Sequence, residues 1–276
     1  MEIFYLNNKG QKLYLDRKPY YLLDSSDIVN YDWNYKINDN TSRVYGFIRG
    51  VKNKNMNIAV ISKSKEEHKE DLDAIVKHFE FDIDYATPGK LYINDYYIPC
   101  YVHKSLKSAR YINVKRSVVN FEIVQEGGWI KETTFPFRWQ EQEVDESGKT
   151  YPYNYPYNYG MGTGFNAEIE VESISDMNFI LTIYGYVYEP EISIGQNTYK
   201  IDHEVSPGEE LCINSRDRTI YLINRSTGIV RNMFRYRSKD YWIFEKISPG
   251  VLPIYWNGAY NFDLQLLEER SEPKWT

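Results

Sequence analysis

Apolar and polar residues alternate with a period of two along much of the chain, which is typical of β-strands with one solvated face. Near the N-terminus, the turn signal Asn-Asn-Lys-Gly at residues 7–10 separates two such segments and predicts an opening hairpin. Further strands of this half are predicted at residues 58–61, around residues 91–93 and 101, at residues 111–114 and at residues 118–124. We therefore expect a β-rich N-terminal half.

One segment of this half has helical periodicity instead. Ser64 is followed three residues later by Glu67, which is the pattern of a capping box, so a helix is predicted to begin there. The apolar stripe that would pack on a sheet consists of Leu72, Ile75, Val76 and Phe79. The first half of this helix is strongly charged, so we expect it to be solvated or to meet a partner.

The C-terminal half reads almost entirely as short strands separated by turn signals. The predicted strands cover residues 167–173, 178–188, 192–199 (a hairpin through Gly195), 210–214, 219–223, 242–244 and 260–267. A glycine at position 185 interrupts the long second strand and suggests a bulge. This spacing of strands and turns predicts a β-sandwich.

A change in composition separates the two halves. Residues 140–148 are polar and acidic, and a tandem Tyr-Pro-Tyr-Asn repeat follows. The repeat comprises Tyr151, Pro152, Tyr153, Asn154, Tyr155, Pro156, Tyr157, Asn158, Tyr159 and Gly160. Proline excludes a helix or a central strand, so we expect an extended linker held to a domain surface by its tyrosines rather than a floppy tether. The predicted domains are residues 1–139 and 164–276, with the linker over 140–163.

Bulk composition is that of a globular protein. The 276 residues carry a formal net charge of -6 without a compensating run of basic residues, which argues against binding a nucleic-acid backbone. The 27 tyrosines suit half-exposed strands or a surface made for contact. Cys100 and Cys212 are expected to be buried free thiols. Neither a secretory signal nor a membrane span is evident, so we expect a soluble chain made in the cytosol, with no membrane insertion.

The sequence offers no catalytic, cofactor or metal residues. The four histidines, His68, His78, His103 and His203, lack metal-ligand spacing, and the two on the predicted helix are expected to be solvated or capping. The glycines at 160–164 precede a strand, which disfavours a phosphate cradle. A β-sandwich glycosidase using Glu141 or Glu143 is the enzymatic alternative, although a solvated acidic loop is the simpler interpretation.

Two tryptophans leave a binding alternative open. Trp242 and Trp256 could stack on sugar rings in a carbohydrate-binding module that recognises host-surface glycans. The simpler interpretation places Trp242 in the core and packs Trp256 under the turn at Pro253.

Several motifs resemble those of siphovirus distal tail proteins. The Tyr/Pro/Gly-rich stretch from Tyr151 to Gly162 resembles the motif between the two halves of that family. The order of elements that follows is also similar. It comprises the strand and Pro step at residues 184–194, the Gly-Glu element and apolar strand at residues 201–213 and the Pro-Gly turn at residues 248–256. The linker departs from the family pattern at Asn154 and Asn158, where Asp or Gly is common.

The resemblance implies a fold and a role. The N-terminal domain would be a β-rich, split-barrel-like, ring-forming domain that adjoins the tail tube, and the C-terminal domain a galectin-like β-sandwich facing outward. Six copies would form a ring at the virion tail tip, made in the bacterial host cytoplasm. The partners would be the tail tube protein, the tail-tip hub protein and a receptor-binding protein or cell-surface saccharide. The family has no catalytic residues to transfer.

Overall fold

The computed structural model describes residues 1–107, 114–138 and 165–274. These residues form a mainly β protein with one amphipathic helix, so the predicted fold class is confirmed. The chain divides into two compact units. Unit 1 contains Met1–Lys131 and the C-terminal residues from Glu269 onward, and unit 2 contains Glu132–Glu268.

Unit 1 is built around antiparallel strands and one helix. Its elements are β1 (Ile3–Leu6), β2 (Lys12–Tyr14), β3 (Asp16–Arg17), β4 (Tyr20–Leu22), β5 (Asn34–Asn38), β6 (Arg43–Ile48), β7 (Val51–Ile61), α1 (Lys65–Asp84), β8 (Gly89–Ile93), β9 (Tyr96–Leu106), β10 (Arg116–Glu126) and the start of β11 (Trp129–Phe137). Its main sheet has the order β2-β1-β8-β9-β10-β7-β4-β3, and β11 also pairs with β9. The predicted opening hairpin is β1–β2.

The longest strand pair shows how the alternating pattern builds the core of unit 1. Strands β7 and β10 pair over eleven residues each, and alternate side chains on both are buried. Among the buried ones, Met56, Ile58 and Phe121 are at most 2% exposed. Because side chains alternate between the two faces of a strand, this period of two places one apolar row against α1.

The helix begins where the sequence predicts. Ser64 is its N-cap and accepts a hydrogen bond from the backbone N–H of Glu67 at 3.0 Å. The Glu67 carboxylate accepts from the backbone N–H of Lys63, one residue before the cap. Ile75 and Phe79 are buried, as the apolar stripe requires. His68 is also buried, so the expectation of a solvated or capping histidine is wrong at this position.

Unit 2 is a β-sandwich. Besides the end of β11, its strands are β12 (Phe165–Val171), β13 (Asn178–Tyr184), β14 (Val187–Tyr188), β15 (Glu191–Ile194), β16 (Asn197–Lys200), β17 (Glu204–Val205), β18 (Glu209–Asn214), β19 (Thr219–Asn224), β20 (Val230–Asn232), β21 (Gly250–Trp256) and β22 (Asn261–Arg270). One sheet has the order β20-β19-β18-β13-β22 and the other β12-β21-β15-β16. Residues of both sheets, among them Phe179 and Ile192, share one apolar core.

Three sequence expectations differ from these elements. Residues 242–244 form a turn rather than a strand, with the Glu245 N–H donating to the Trp242 carbonyl at 3.0 Å. The strand expected over residues 178–188 ends at Tyr184. Cys212 is half-buried, whereas Cys100 is buried as expected. The strand predicted at 111–114 and the linker at 140–163 lie outside the described residues, apart from residue 114.

The two units do not follow the composition change at residue 140. The chain passes from unit 1 to unit 2 within β11 and returns near the end of β22. A boundary inside a regular strand is not marked by a change in the sequence pattern, because both sides of it have the same strand pattern. Over the described ranges, no helix has the length and apolar content needed to cross a membrane.

Candidate interaction surfaces

The hairpin formed by β5 and β6, here called the arm, exposes large apolar side chains on both faces. The arm forms a two-stranded sheet of its own, in which Tyr35 lies opposite Phe47 and Ile37 opposite Val44. Its exposed apolar residues are Tyr35, Ile37, Val44, Tyr45, Phe47 and Ile48, which are 44–67% exposed. Adjacent residues of a strand face opposite sides, so neither face of the arm is covered by the described parts of the chain.

The base of the arm is fixed to unit 1. The Arg49 guanidinium lies 4.7 Å from the centre of the Trp33 ring and forms an ion pair with Glu269 at 2.9 Å. Lys52, at the start of β7, forms an ion pair with Asp32, which precedes β5, at 2.7 Å. The arm is therefore anchored at its base. An isolated two-stranded hairpin is marginally stable in water, which means that its apolar faces need a partner surface.

A groove lies on another part of unit 1, between the C-terminal half of α1 and strands β9 and β10. It encloses about 370 Å³. Its lining includes Val76, Phe79, Ile83, Val102 and Phe121. Ile83 is 42% exposed, and Leu106 beyond the lining is 54% exposed. The groove thus combines apolar residues with polar and charged ones in its lining, and it has exposed apolar residues at its margin.

The charges of the arm and of the groove are opposite in sign where they are unpaired. Glu80 and Asp84 line the helix side of the groove, and neither has an ion-pair partner among the described residues. On the arm, Lys36 and Arg43 likewise have no acidic partner in the described ranges. Lys104, on the strand side of the groove, is neutralised by Glu122 at 2.8 Å.

A buried polar network fixes the start of α1 to the sheet. The two ring nitrogens of His68 lie 3.2 Å from the Ser62 hydroxyl and 3.0 Å from the Ser117 hydroxyl. The Ser62 hydroxyl also donates to Asp71 at 2.5 Å. Burial lowers the pKa of His68, partly opposed by the Asp71 carboxylate. These are the residue types of a hydrolase triad, but the His68 side chain is fully buried, so this geometry provides no access for a substrate.

The thiols and the remaining histidines do not gather into a reactive centre. Burial raises the pKa of both Cys100 and Cys212, which disfavours the nucleophilic thiolate. Burial likewise lowers the pKa of His78. In the part of the chain that the structure describes, no group of three or more His, Cys, Asp or Glu residues could hold a metal ion.

The two tryptophans proposed for glycan contact have different environments. Trp256 is only 7% exposed and packs edge-on against Phe262, with ring centres 5.3 Å apart and planes at 85°. Its ring is therefore part of the core of unit 2. Trp242, which the simpler interpretation placed in the core, is 51% exposed. The linker motif from Tyr151 to Gly160, and the carboxylates Glu141 and Glu143, lie outside the described residues.

The arm is the main surface that the sequence analysis did not identify. A signal for it exists, since Asn-Asp-Asn-Thr-Ser at residues 38–42 is rich in turn formers and lies between Ile37 and Val44. The residues of β5 also alternate between polar and apolar, but β6 has consecutive apolar residues, Val44 with Tyr45 and Phe47 with Ile48. Strand β6 therefore lacks the period of two that marks an ordinary surface strand.

Comparison with known proteins supports the fold. No protein-family model matches the sequence, and no curated protein matches it either. Among solved structures, a chain of the phage P2 baseplate in its activated conformation with Ca aligns with a TM-score of 0.64 at 11% identity, over 99% of both chains. The Sr form of the phage p2 baseplate gives a TM-score of 0.62 at 11% identity, again over 99% of both chains.

The second similar protein comes from another phage. SPP1 Dit, described as a paradigm of the hub adsorption apparatus in phages that infect Gram-positive hosts, aligns with a TM-score of 0.57 at 6% identity, over 98% of both chains. Both likenesses extend over nearly the whole chain and include both units. The protein therefore has the fold of the phage baseplate and Dit proteins, and the resemblance to distal tail proteins is confirmed at the level of the fold.

Proposed function

We propose that this protein is a non-enzymatic structural component of a phage tail tip, in which six copies form a ring that joins the tail tube to the tail-tip hub and the adsorption apparatus. The observation that carries the proposal is the arm, whose large apolar side chains are exposed in the single chain. A surface of this kind indicates an assembly partner, because monomeric proteins rarely leave such patches in contact with water. The shared fold with baseplate and Dit proteins supports the same role.

The two units suit two different tasks. Unit 1, which bears both the arm and the groove, makes the ring and stacks on the tail tube protein. Unit 2 is the outward-facing sandwich that contacts a receptor-binding protein, while the tail-tip hub protein lies below the ring. The protein accordingly acts in the virion after synthesis in the host cytoplasm.

Within the ring, the arm of one copy docks in the groove of the next. A closed cyclic ring requires heterologous contacts, in which one patch of a subunit meets a different patch of its neighbour. The arm and the groove are two such patches on the same unit. Their apolar surfaces and their unpaired charges, Lys36 and Arg43 on the arm against Glu80 and Asp84 in the groove, are complementary.

Native mass spectrometry and light scattering of the full chain test this function. The expected result is a hexamer, or two stacked hexamers, that converts to monomer in the double variant Tyr35→Ser/Phe47→Ser. Tyr188→Ser, which removes an equally exposed ring from unit 2, is the matched control and should leave the hexamer intact. A wild-type chain that stays monomeric at high concentration, both alone and with the tail tube and hub proteins, would contradict the proposal.

A further inference from the structure

A second unusual surface lies on unit 2, on the segment between β20 and β21. We call it the aromatic–arginine patch. It consists of Phe234, Arg235, Tyr236, Arg237, Tyr241 and Trp242. Phe234, Tyr241 and Trp242 are 39%, 43% and 51% exposed, which is high for rings of this size.

The aromatic rings of the patch are held in place from below. The buried Phe244 packs against Trp242 edge-on, with ring centres 5.6 Å apart and planes at 79°. It also stacks on Phe234, with centres 6.0 Å apart and planes at 21°. The turn that connects Trp242 to Glu245 fixes the backbone there. The exposed part of the indole is therefore a rigid surface that loses little entropy on binding.

Two arginines lie over aromatic rings of this segment. The Arg237 guanidinium is 4.2 Å from the centre of the Phe234 ring, and that of Arg235 is 4.6 Å from the centre of the Tyr236 ring. Within the described residues neither arginine has an acidic partner, whereas nearby Arg225 and Arg231 are paired with Glu210 and Glu209. One terminal nitrogen of each guanidinium donates within the segment, Arg235 to the Tyr236 hydroxyl and Arg237 to the Phe234 carbonyl. The remaining N–H groups can bind a carboxylate or a phosphate.

The local charge is opposite to that of the protein. Residues 229–246 contain five Lys or Arg and two Asp or Glu, and Arg231 is neutralised by Glu209 outside this segment, which leaves 5 − 2 − 1 = +2 in a chain whose net charge is -6. The rest of the chain therefore carries -6 − 2 = -8. The segment has no run of consecutive basic residues, because aromatic residues separate the arginines. The contrast in charge attracts anions to this part of unit 2.

We propose that the aromatic–arginine patch binds an anionic saccharide, that is, a chain of sugar rings that carry carboxylate or phosphate groups. The apolar C–H face of a sugar ring packs on the Trp242 indole, and Arg235 and Arg237 bind the acidic groups. The three exposed rings offer about 270 Å² at roughly 200 Å² for each whole ring. That area suits a short oligosaccharide and is well below the ~800 Å² that a stable protein interface covers on each partner.

Isothermal titration calorimetry with the full chain tests the site. The probes are hexagalacturonate, a phosphorylated mannan oligosaccharide and neutral galactohexaose, titrated at low and at moderate salt. We expect one or both anionic probes to bind, the neutral one to bind at least tenfold more weakly, and the affinity to fall as salt rises. The carboxylate and phosphate probes show which acidic group is recognised.

Variants locate the binding. Trp242→Ala and Arg235→Gln/Arg237→Gln should each weaken binding of the anionic probe about tenfold, with Trp242→Phe intermediate because it keeps a ring. Circular dichroism checks that each variant is folded. Tyr188→Ala, another exposed ring of unit 2, and Lys65→Gln/Lys69→Gln, which removes two charges from the exposed start of α1, are the matched controls and should bind as wild type does.

Three outcomes would overturn the site. The first is that no anionic probe binds. The second is that both patch variants bind as tightly as the two controls. The third is that polyglutamate binds as tightly as the saccharides and that its binding is unaffected by Trp242→Ala, which would reduce the patch to a surface for any polyanion or for an acidic protein. None of these results depends on the oligomeric state, so failure here is distinguishable from failure of the ring.

Discussion

The Tyr5 hydroxyl donates a 2.8 Å hydrogen bond to the carboxylate of Asp82 in the core of unit 1, and this bond links β1 to the last turn of α1. Both side chains are fully buried. The other carboxylate oxygen of Asp82 accepts from the backbone and side-chain N–H groups of Asn8. Burial raises the pKa of Tyr5 far above its usual range, so the phenol stays protonated and remains the donor. Gly89 lies directly against this pair.

Removing the donor should destabilise unit 1 without changing its shape. Tyr5→Phe leaves a buried carboxylate with one partner fewer, which is expected to lower the free energy of unfolding by about 1–3 kcal/mol. Gly89→Ala should lower the free energy of unfolding further, because an added Cβ would overlap the Tyr5 hydroxyl and the Asp82 carboxylate. Urea denaturation measures both. Gly46→Ala, where the Cβ would meet open space, is the control, and equal stability of all three variants would contradict the assignment.

The burial of His68 predicts a loss of stability in mild acid. Its folded pKa is lowered, so the unfolded chain takes up the proton first, near pH 6.5. The free energy of unfolding is therefore highest above pH 6.5, and it decreases as the pH falls from there towards the folded pKa. The slope is at most about 1.4 kcal/mol per pH unit for one group.

Denaturation curves between pH 7.5 and 5.5 measure this effect. His68→Gln keeps neutral hydrogen-bonding groups, so its free energy of unfolding should decline less with falling pH than that of wild type. His78 should account for the decline that remains, because burial lowers its pKa too. His103→Gln, at an exposed position, serves as the control. If His68→Gln loses stability with falling pH as steeply as wild type does, the acid sensitivity arises from other residues.

Mixing two defective chains tests the arm-in-groove contact. Ile83→Lys adds a positive charge to the groove, which should repel Lys36 and Arg43 of the arm and give monomers. Tyr35→Ser/Phe47→Ser should do the same from the arm side. An equimolar mixture retains one intact arm and one intact groove, so it should form a 1:1 heterodimer and no larger species.

Native mass spectrometry distinguishes that heterodimer from the separate monomers, provided that the two variants differ in mass. A mixture that stays monomeric while wild type is hexameric would show that the ring uses another contact. Hexamers formed by either variant alone would contradict the role of the arm or of the groove.

Truncation of the two tryptophans of unit 2 should lower the free energy of unfolding by different amounts. Trp256→Ala removes a core ring that packs against Phe137 and Phe262, and is expected to cost about 3–5 kcal/mol of unfolding free energy. Trp242→Ala removes a ring that is 51% exposed and packs on Phe244, so it should cost less, about 1–2 kcal/mol. Chemical denaturation compares the two, and similar losses for both would mean that Trp242 is not a surface residue.

Local signals in the sequence were sufficient for most elements. Ser64 and Glu67 define the start of α1, because a cap depends only on neighbouring residues. The alternation at residues 167–173 and the turn at Gly195 predict strands of the sandwich, since strand periodicity and turn chemistry are also local. The likeness to distal tail proteins came from the order of such local motifs.

Only the tertiary structure decided which chemically similar residues are buried and which are exposed. Nothing near Trp242 or Trp256 in sequence separates a surface ring from a core ring, and nothing near His68 shows that Ser117 will cover it. Burial depends on residues far apart in the chain that meet when the sheets form. The same holds for the arm, because whether an apolar hairpin is covered depends on what the rest of the fold places over it.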